Sequence, residues 1–115
     1  MTQHLSSKRR LRVVYIRPSK YDDDGYVLRF WRGVLPSNTL VCLEALTMAV
    51  ADSGALGQAR VCVDIYDDTV ERIPVQKIAR LNRGDTRVVV GLVGVQSNQF
   101  ARAADLALEF RRAGV

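Results

Sequence analysis

The sequence predicts an α/β domain with a doubly wound parallel sheet, cut after three β/α units. Three observations carry that expectation. Residues 87–95 form a nearly unbroken β-branched run, the pattern of a strand buried on both faces and so central in its sheet. Directly after it, Phe100, Ala103, Ala104, Ala107 and Phe110 recur at three- and four-residue spacing, as the apolar stripe of a helix does. Two earlier strand-like runs are each followed by a helical pattern, and strand, turn, helix is the repeating unit of a parallel α/β sheet.

Residues 11–16, with Val13, Val14, Tyr15 and Ile16, read as the first strand. Arg17-Pro18 stops it, because proline removes a donor and restrains its predecessor. A long connection follows over residues 19–38, with Asp22, Asp23 and Asp24 before Gly25 and Tyr26, then Arg29, Phe30, Trp31 and Arg32. Connections of this length are either functional or disordered, and the four aromatic side chains Tyr21, Tyr26, Phe30 and Trp31 favour function. The acidic run suits a solvated turn with an Asx-type bend before glycine. The alternative, a loop that orders around a cation or ligand, is weakened because hard cations need six or more well-spread oxygens.

Pro36-Ser37-Asn38 opens a helix with an apolar stripe of Leu40, Leu43, Leu46, Ala49 and Val50, ended by Ser53-Gly54. The second strand spans residues 59–66, with Val61, Val63 and Ile65 on one face and Cys62, Asp64 and Tyr66 on the other. Asp67-Asp68-Thr69 turns the chain, and Pro74 leads a short helix carrying Val75, Ile78, Ala79 and Leu81. After the third strand, Ser97 or Asn98 can cap the last helix, and Gly114 supplies the left-handed residue that ends it. In open α/β sheets ligands bind outside the carboxyl ends of the strands, so residues 94–98 are the first place to look for a site. The Ser97 hydroxyl can serve there as a helix cap, as a ligand contact, or as both. Gly114-Val115 leads toward a missing fourth strand, which suggests an N-terminal fragment or a chain that completes its sheet with a partner.

The 115 residues make one domain at most: a basic polar tail over residues 1–10 and an α/β unit over residues 11–115. An apolar fraction of 48% and a charged fraction of 25% are ordinary for a globular chain. The tail has no apolar middle of a signal peptide and no run reaches the roughly 20 residues of a membrane span, which points to the cytoplasm. The net charge is +5, and Lys8, Arg9, Arg10 and Arg12 crowd the start. Without interleaved aromatics, that run reads as a solvated tail rather than a nucleic-acid contact, although a phosphate-bearing ligand would be tolerated. Cys42 and Cys62 read as small buried side chains of a reducing compartment. With His4 as the sole imidazole, neither a His/Cys metal cluster nor a Ser-His-Asp set can be assembled. Neither the Walker pattern nor GxGxxG occurs, and a receiver-like phosphotransfer reading lacks a carboxylate at the end of the third strand. No catalytic residue and no protein-held metal is assigned.

Four pieces carry a resemblance: Ser19-Lys20-Tyr21-Asp22-Asp23-Asp24-Gly25-Tyr26, Phe30-Trp31-Arg32, Leu35-Pro36-Ser37-Asn38-Thr39-Leu40 and Val93-Gly94-Val95-Gln96-Ser97-Asn98-Gln99-Phe100. Together they resemble the N-terminal cobalamin-binding domain of a family of radical S-adenosylmethionine proteins. The resemblance covers about residues 11–115. It implies a flavodoxin-like sheet of five parallel strands in the order 2-1-3-4-5, followed by a barrel that carries an iron–sulfur cluster, with cobalamin between the two. It further implies that the corrinoid lies over the carboxyl ends of the strands. Ser19, Lys20, Tyr21 and Gly25 in the loop after the first strand would close one side, and the turn from Tyr66 to Thr69 after the second would line another. Gly94 would permit close approach, while Gln96, Ser97 and Asn98 would exchange hydrogen bonds with the cofactor's polar groups.

The departures are specific. Better-known corrinoid carriers hold cobalt through a histidine in a DxHxxG segment after the first strand, where this chain has Tyr21-Asp22-Asp23-Asp24-Gly25-Tyr26. Cobalamin bound here would therefore lack a protein imidazole beneath its cobalt. The glycine pair after a fourth strand and the CxxxCxxC cluster motif are also absent, so the chain alone cannot perform radical chemistry. The expected function is a cobalamin-binding module that works with a radical domain in cis. The alternative is a cofactor-free interaction module whose sheet another chain completes, or an inactive fragment.

Overall fold

The structure, a computed structural model, describes residues 9–30 and 37–115. Residues 1–8, with Lys8 and His4 of the expected tail, lie outside them, as do Trp31, Arg32, Leu35 and Pro36. Three parallel strands form one sheet: β1 (Arg10–Arg17), β2 (Arg60–Asp67) and β3 (Thr86–Leu92), in the order β2-β1-β3. Helix α1 (Asn38–Asp52) joins β1 to β2, and the short α2 (Val75–Ala79) joins β2 to β3. A 3₁₀ turn (Ser97–Gln99) and α3 (Phe100–Arg112) follow. The fold is α/β with the first three positions of the flavodoxin-like strand order.

The two faces of the sheet are covered differently. Val14 and Ile16 of β1 meet Val88 of β3, Val75 and Ile78 of α2, and Leu106 and Phe110 of α3 in one apolar cluster. Ile16 and Leu106 are almost fully buried, and each contributes about 1.5–3 kcal/mol relative to an exposed side chain. Tyr15, the next residue along β1, faces the opposite side, where its hydroxyl bonds Thr47 Oγ1 of α1 at 2.7 Å. Steps in opposite directions, from β1 out to β2 and then back past it to β3, place the two connecting helices on opposite faces when each crossover is right-handed.

The β-branched run at residues 87–95 is not central. β1 holds the middle and pairs on both sides, while β3 is an outer strand among the described residues. Its apolarity reflects one covered face: Val88 is buried and Val90 and Leu92 pack on the core, whereas Val89 is 51% exposed. The strand also stops sooner, at Leu92. One further bond, from Val93 N–H to the Ile16 carbonyl, precedes Gly94, whose φ of +65° turns the chain out of the sheet.

Helix boundaries follow the expected chemistry at most ends. Ser37 caps α1 by accepting from Leu40 N–H, and Gly114 (φ +95°) closes α3 with bonds from Gly114 N–H to Arg111 and from Val115 N–H to Phe110. The stripes differ. In α1 only Leu40 is fully buried and Leu46 and Val50 stay exposed, because the helix lies chiefly over β2 and the near side of β1. In α3 the inward residues are Arg102, Ala103, Leu106 and Phe110, while Phe100 and Ala104 point out. Cys42 and Cys62 are both free and exposed rather than buried, since Cys62 sits on the outer strand β2 and Cys42 on the uncovered side of α1.

Candidate functional site

The first half of the long connection is a compact hairpin rather than an open loop. Tyr21 and Val27 form an antiparallel bridge, Leu28 N–H donates to the Lys20 carbonyl at 2.9 Å, and the Ser19 hydroxyl donates to the Leu28 carbonyl. At the tip, one Asp22 carboxylate oxygen accepts from the N–H groups of Asp24 and Tyr26, both at 2.9 Å, and Gly25 adopts φ +85°. Asp22 thus makes an Asx-type turn, and Asp23 and Asp24 face solvent. Among the described residues no group of three or more His, Cys, Asp or Glu side chains is placed to hold a metal ion.

The base of the hairpin is anchored by Asp68, whose side chain is wholly buried just beyond β2. Its carboxylate accepts the Ser19 N–H at 3.0 Å, two bonds from Arg102 of α3 at 2.8 and 3.1 Å, and one from Arg29 at 2.9 Å. Burial by itself would raise the Asp68 carboxyl; the Arg102, Ser19 and Arg29 hydrogen bonds outweigh it and hold the group below its ordinary value. Burial likewise opposes the Arg102 charge, and Asp68 more than restores it. One carboxylate therefore ties together the exits of β1 and β2, the far end of the hairpin and the last helix. The Phe30 N–H, donating to the Thr69 carbonyl, adds a parallel strap.

Between the hairpin and the turn after β3 lies a cleft of about 210 Å³ at the carboxyl ends of the strands. Arg17, Lys20 and Phe30 line one side, and Gln96, Asn98 and Gln99 the other, with Ser19, Leu28 and Thr69 between. Arg17 is partly neutralised by Asp67 at 3.3 Å, and Lys20 is exposed. Gln99 spans the floor: its Oε1 accepts from Gln96 N–H and its Nε2 donates to the Pro18 carbonyl, each at 2.9 Å. This glutamine bracket opens the helix in place of the expected Ser97 or Asn98 cap, because the chain enters α3 through a 3₁₀ turn. The cleft thus presents amides, two cationic side chains and one half-exposed aromatic ring.

Of the expected site residues, Ser19, Lys20, Gln96 and Asn98 meet in this cleft. Ser19 is buried and its hydroxyl is spent on Leu28, so it shapes the wall rather than offering a donor. Ser97 is exposed on the 3₁₀ turn beside Asn98, and Gly94 lies just before it. A Cβ on Gly94 would meet nothing within 4 Å, so its role here is the left-handed backbone itself. Tyr21 leans instead on α3, where its hydroxyl bonds Asp105 and Arg102 lies over its ring, with 6.0 Å from the guanidinium carbon to the ring centroid. Burial, then the Asp105 contact, raises its phenol. Gly25 is at the hairpin tip and Tyr66 is half-buried against the core, both apart from the cleft.

Thr69, from the turn expected to line one edge, does so; Arg17, Phe30 and Gln99 line the cleft without having been assigned to it, and Asp68, Arg102 and Arg29 organise it. Arg102 carried a readable signal. It precedes Ala103 and lies four residues before Leu106, on the inward side of an apolar helix, where a charge demands a buried partner. No family model, no curated protein and no solved structure matches the chain.

Proposed function

We propose that the cleft at the carboxyl ends of the strands seats the edge of a cobalamin, making the chain a cofactor-binding module. The observation that carries this reading is the convergence of Lys20, from the loop after β1, with Gln96 and Asn98, from the turn after β3, on one polar cleft. Amide side chains and a cation suit the amide fringe and phosphate of a corrinoid, and Phe30 can cover part of a flat ring. At about 210 Å³ the cleft takes one edge only, so the ring would extend over the open strand ends. No histidine stands among the described residues, so cobalt would have no imidazole from them beneath it. When bound, cobalamin supplies alkyl-transfer or radical chemistry; this chain's residues would bind and orient it. S-adenosylmethionine, an iron–sulfur cluster and the substrate would belong to a radical domain in cis. Two exposed free thiols suit a reducing, cytoplasmic setting. No helix among the described residues is long and apolar enough to cross a membrane.

Gel filtration after incubation with hydroxocobalamin tests the reading, following corrin and protein absorbance together. Co-elution is expected, weakened by Asn98→Trp, which fills the cleft from an exposed position. A compact protein peak free of corrin would overturn it. A second reading, an interaction module completed by another chain, is favoured by the outer edge of β3. There Val88, Val90 and Leu92 join Ala107, Phe110 and Val115 around an apolar groove of about 300 Å³. Its test concerns association rather than cofactor.

A further inference from the structure

A second cavity, of about 490 Å³, lies at the opposite, amino-terminal end of the strands. Five arginines line it: Arg10 and Arg12 of β1, Arg60 of β2, and Arg80 and Arg83 just past α2. No carboxylate and no aromatic ring lines it among the described residues. Arg12 is held by Asp64 at 2.6 Å, and the other four have no carboxylate within ion-pair distance among the described residues.

The arrangement is costly without a counter-charge. Arg10 and Arg60 stand directly opposite each other in the β1–β2 register, and like charges so placed destabilise a sheet. Arg12, two residues along the same face, brings a third guanidinium to the same spot. The carbonyl end of α2 favours one nearby cation, which would explain Arg80 but not five arginines. Arg10, Arg60, Arg80 and Arg83 are exposed, and two strands and a tight turn place their backbones around one concavity.

We propose that this cavity binds a compact polyanion carrying two or more phosphate groups. Planar guanidinium forks match phosphate oxygens in bidentate fashion, and several converging on one concave site focus potential toward a small multiply charged ligand. The Thr86 hydroxyl adds a neutral donor at the rim. The volume lies within the roughly 300–1,000 Å³ range of small-molecule sites. A single-stranded nucleic acid is disfavoured because, among the described residues, no ring lines the cavity on which bases could stack. The site is at the other end of the sheet from the cobalamin cleft and does not depend on that reading.

Calorimetric titration with inorganic tripolyphosphate, against sulfate at matched ionic strength, tests the assignment. Tripolyphosphate is expected to bind about tenfold or more tightly than sulfate, and Arg80→Gln with Arg83→Gln should weaken it by about tenfold or more. Arg111→Gln with Arg112→Gln, at the end of α3, lowers the +5 net charge by the same two units and should change the affinity little. Arg60→Gln, on an outer strand, provides a second route to the same loss, and unchanged circular dichroism checks the fold of each variant. Equal losses in the control pair, or tripolyphosphate no tighter than sulfate, would overturn the site in favour of diffuse screening. Tighter binding of an oligonucleotide, abolished by the same substitutions, would overturn the compact ligand. Hydroxocobalamin co-elution should be unaffected by Arg80→Gln with Arg83→Gln, which separates the two sites.

Discussion

Asp68 illustrates how much one side chain can organise. Fully buried and shared between two arginines and a backbone N–H, it cannot be neutralised without leaving charges stranded. Asp68→Asn is expected to cost about 3–5 kcal/mol, measured by urea unfolding at neutral pH, because it leaves Arg102 buried without its counter-charge. The folded carboxyl lies below its ordinary value of 3.8, so its contribution is complete above that value and disappears as pH falls through the lower folded one. The stability gap between the parent and Asp68→Asn should therefore be constant above about pH 5 and narrow below about pH 4. A gap unchanged down to the acid transition would show that Asp68 does not titrate as described. Asp68 was legible as a turn residue following a strand, but not as an anchor, because its partners come from segments distant in sequence. The cysteines misled for a related reason: residue type predicts burial only where a neighbouring element covers the position.

At the scale of elements, the hydrogen bond between Tyr15 and Thr47 ties helix α1 to β1, and the same ring packs on β3. Gly91 of β3 lies against Tyr15 of β1: a Cβ there would stand 3.1 Å from Cδ1 and 3.3 Å from Cε1 of the ring. The ring cannot easily yield, because its hydroxyl is bonded to Thr47. Gly91→Ala should therefore be destabilising by about 1 kcal/mol, overpacking of roughly 1–3 kcal/mol being offset in part by the strand entropy that alanine recovers. Tyr15→Phe frees the ring and should reduce the cost of Gly91→Ala in a double-mutant cycle by thermal unfolding; strict additivity would refute the tether. Strand identities and the Ser37 and Gly114 caps were readable because alternation, proline and glycine act locally. The entry to α3 was not, since the bracket made by Gln99 depends on the Pro18 carbonyl, brought near only by the sheet. The inward face of α3 also turned on a distant residue, for Arg102 faces in where Asp68 waits.

For the whole molecule, the exposed edge matters most. The parallel α/β class follows from strand and helix alternation and the order 2-1-3 is the one the resemblance implied, yet the apolar run of β3 suggested a central position. Composition alone cannot distinguish a strand covered on two faces from one covered on a single face beside an apolar groove. That groove and the exposed Val89 beside it predict pairing through β3. Elution volume should decrease with rising protein concentration, and Val89→Lys should abolish that dependence; a volume independent of concentration in the parent would exclude edge association. The central place of β1 has a consequence in time. Each β1–β2 pair joins residues 50 apart, and each β1–β3 pair joins residues 76 apart. The central strand can thus close one flank only after about 50 further residues have been made, and the other only after about 76. Topology of this kind folds slowly. During translation β1 is a waiting template, and Val13 to Ile16 stay without their strand partners throughout that interval.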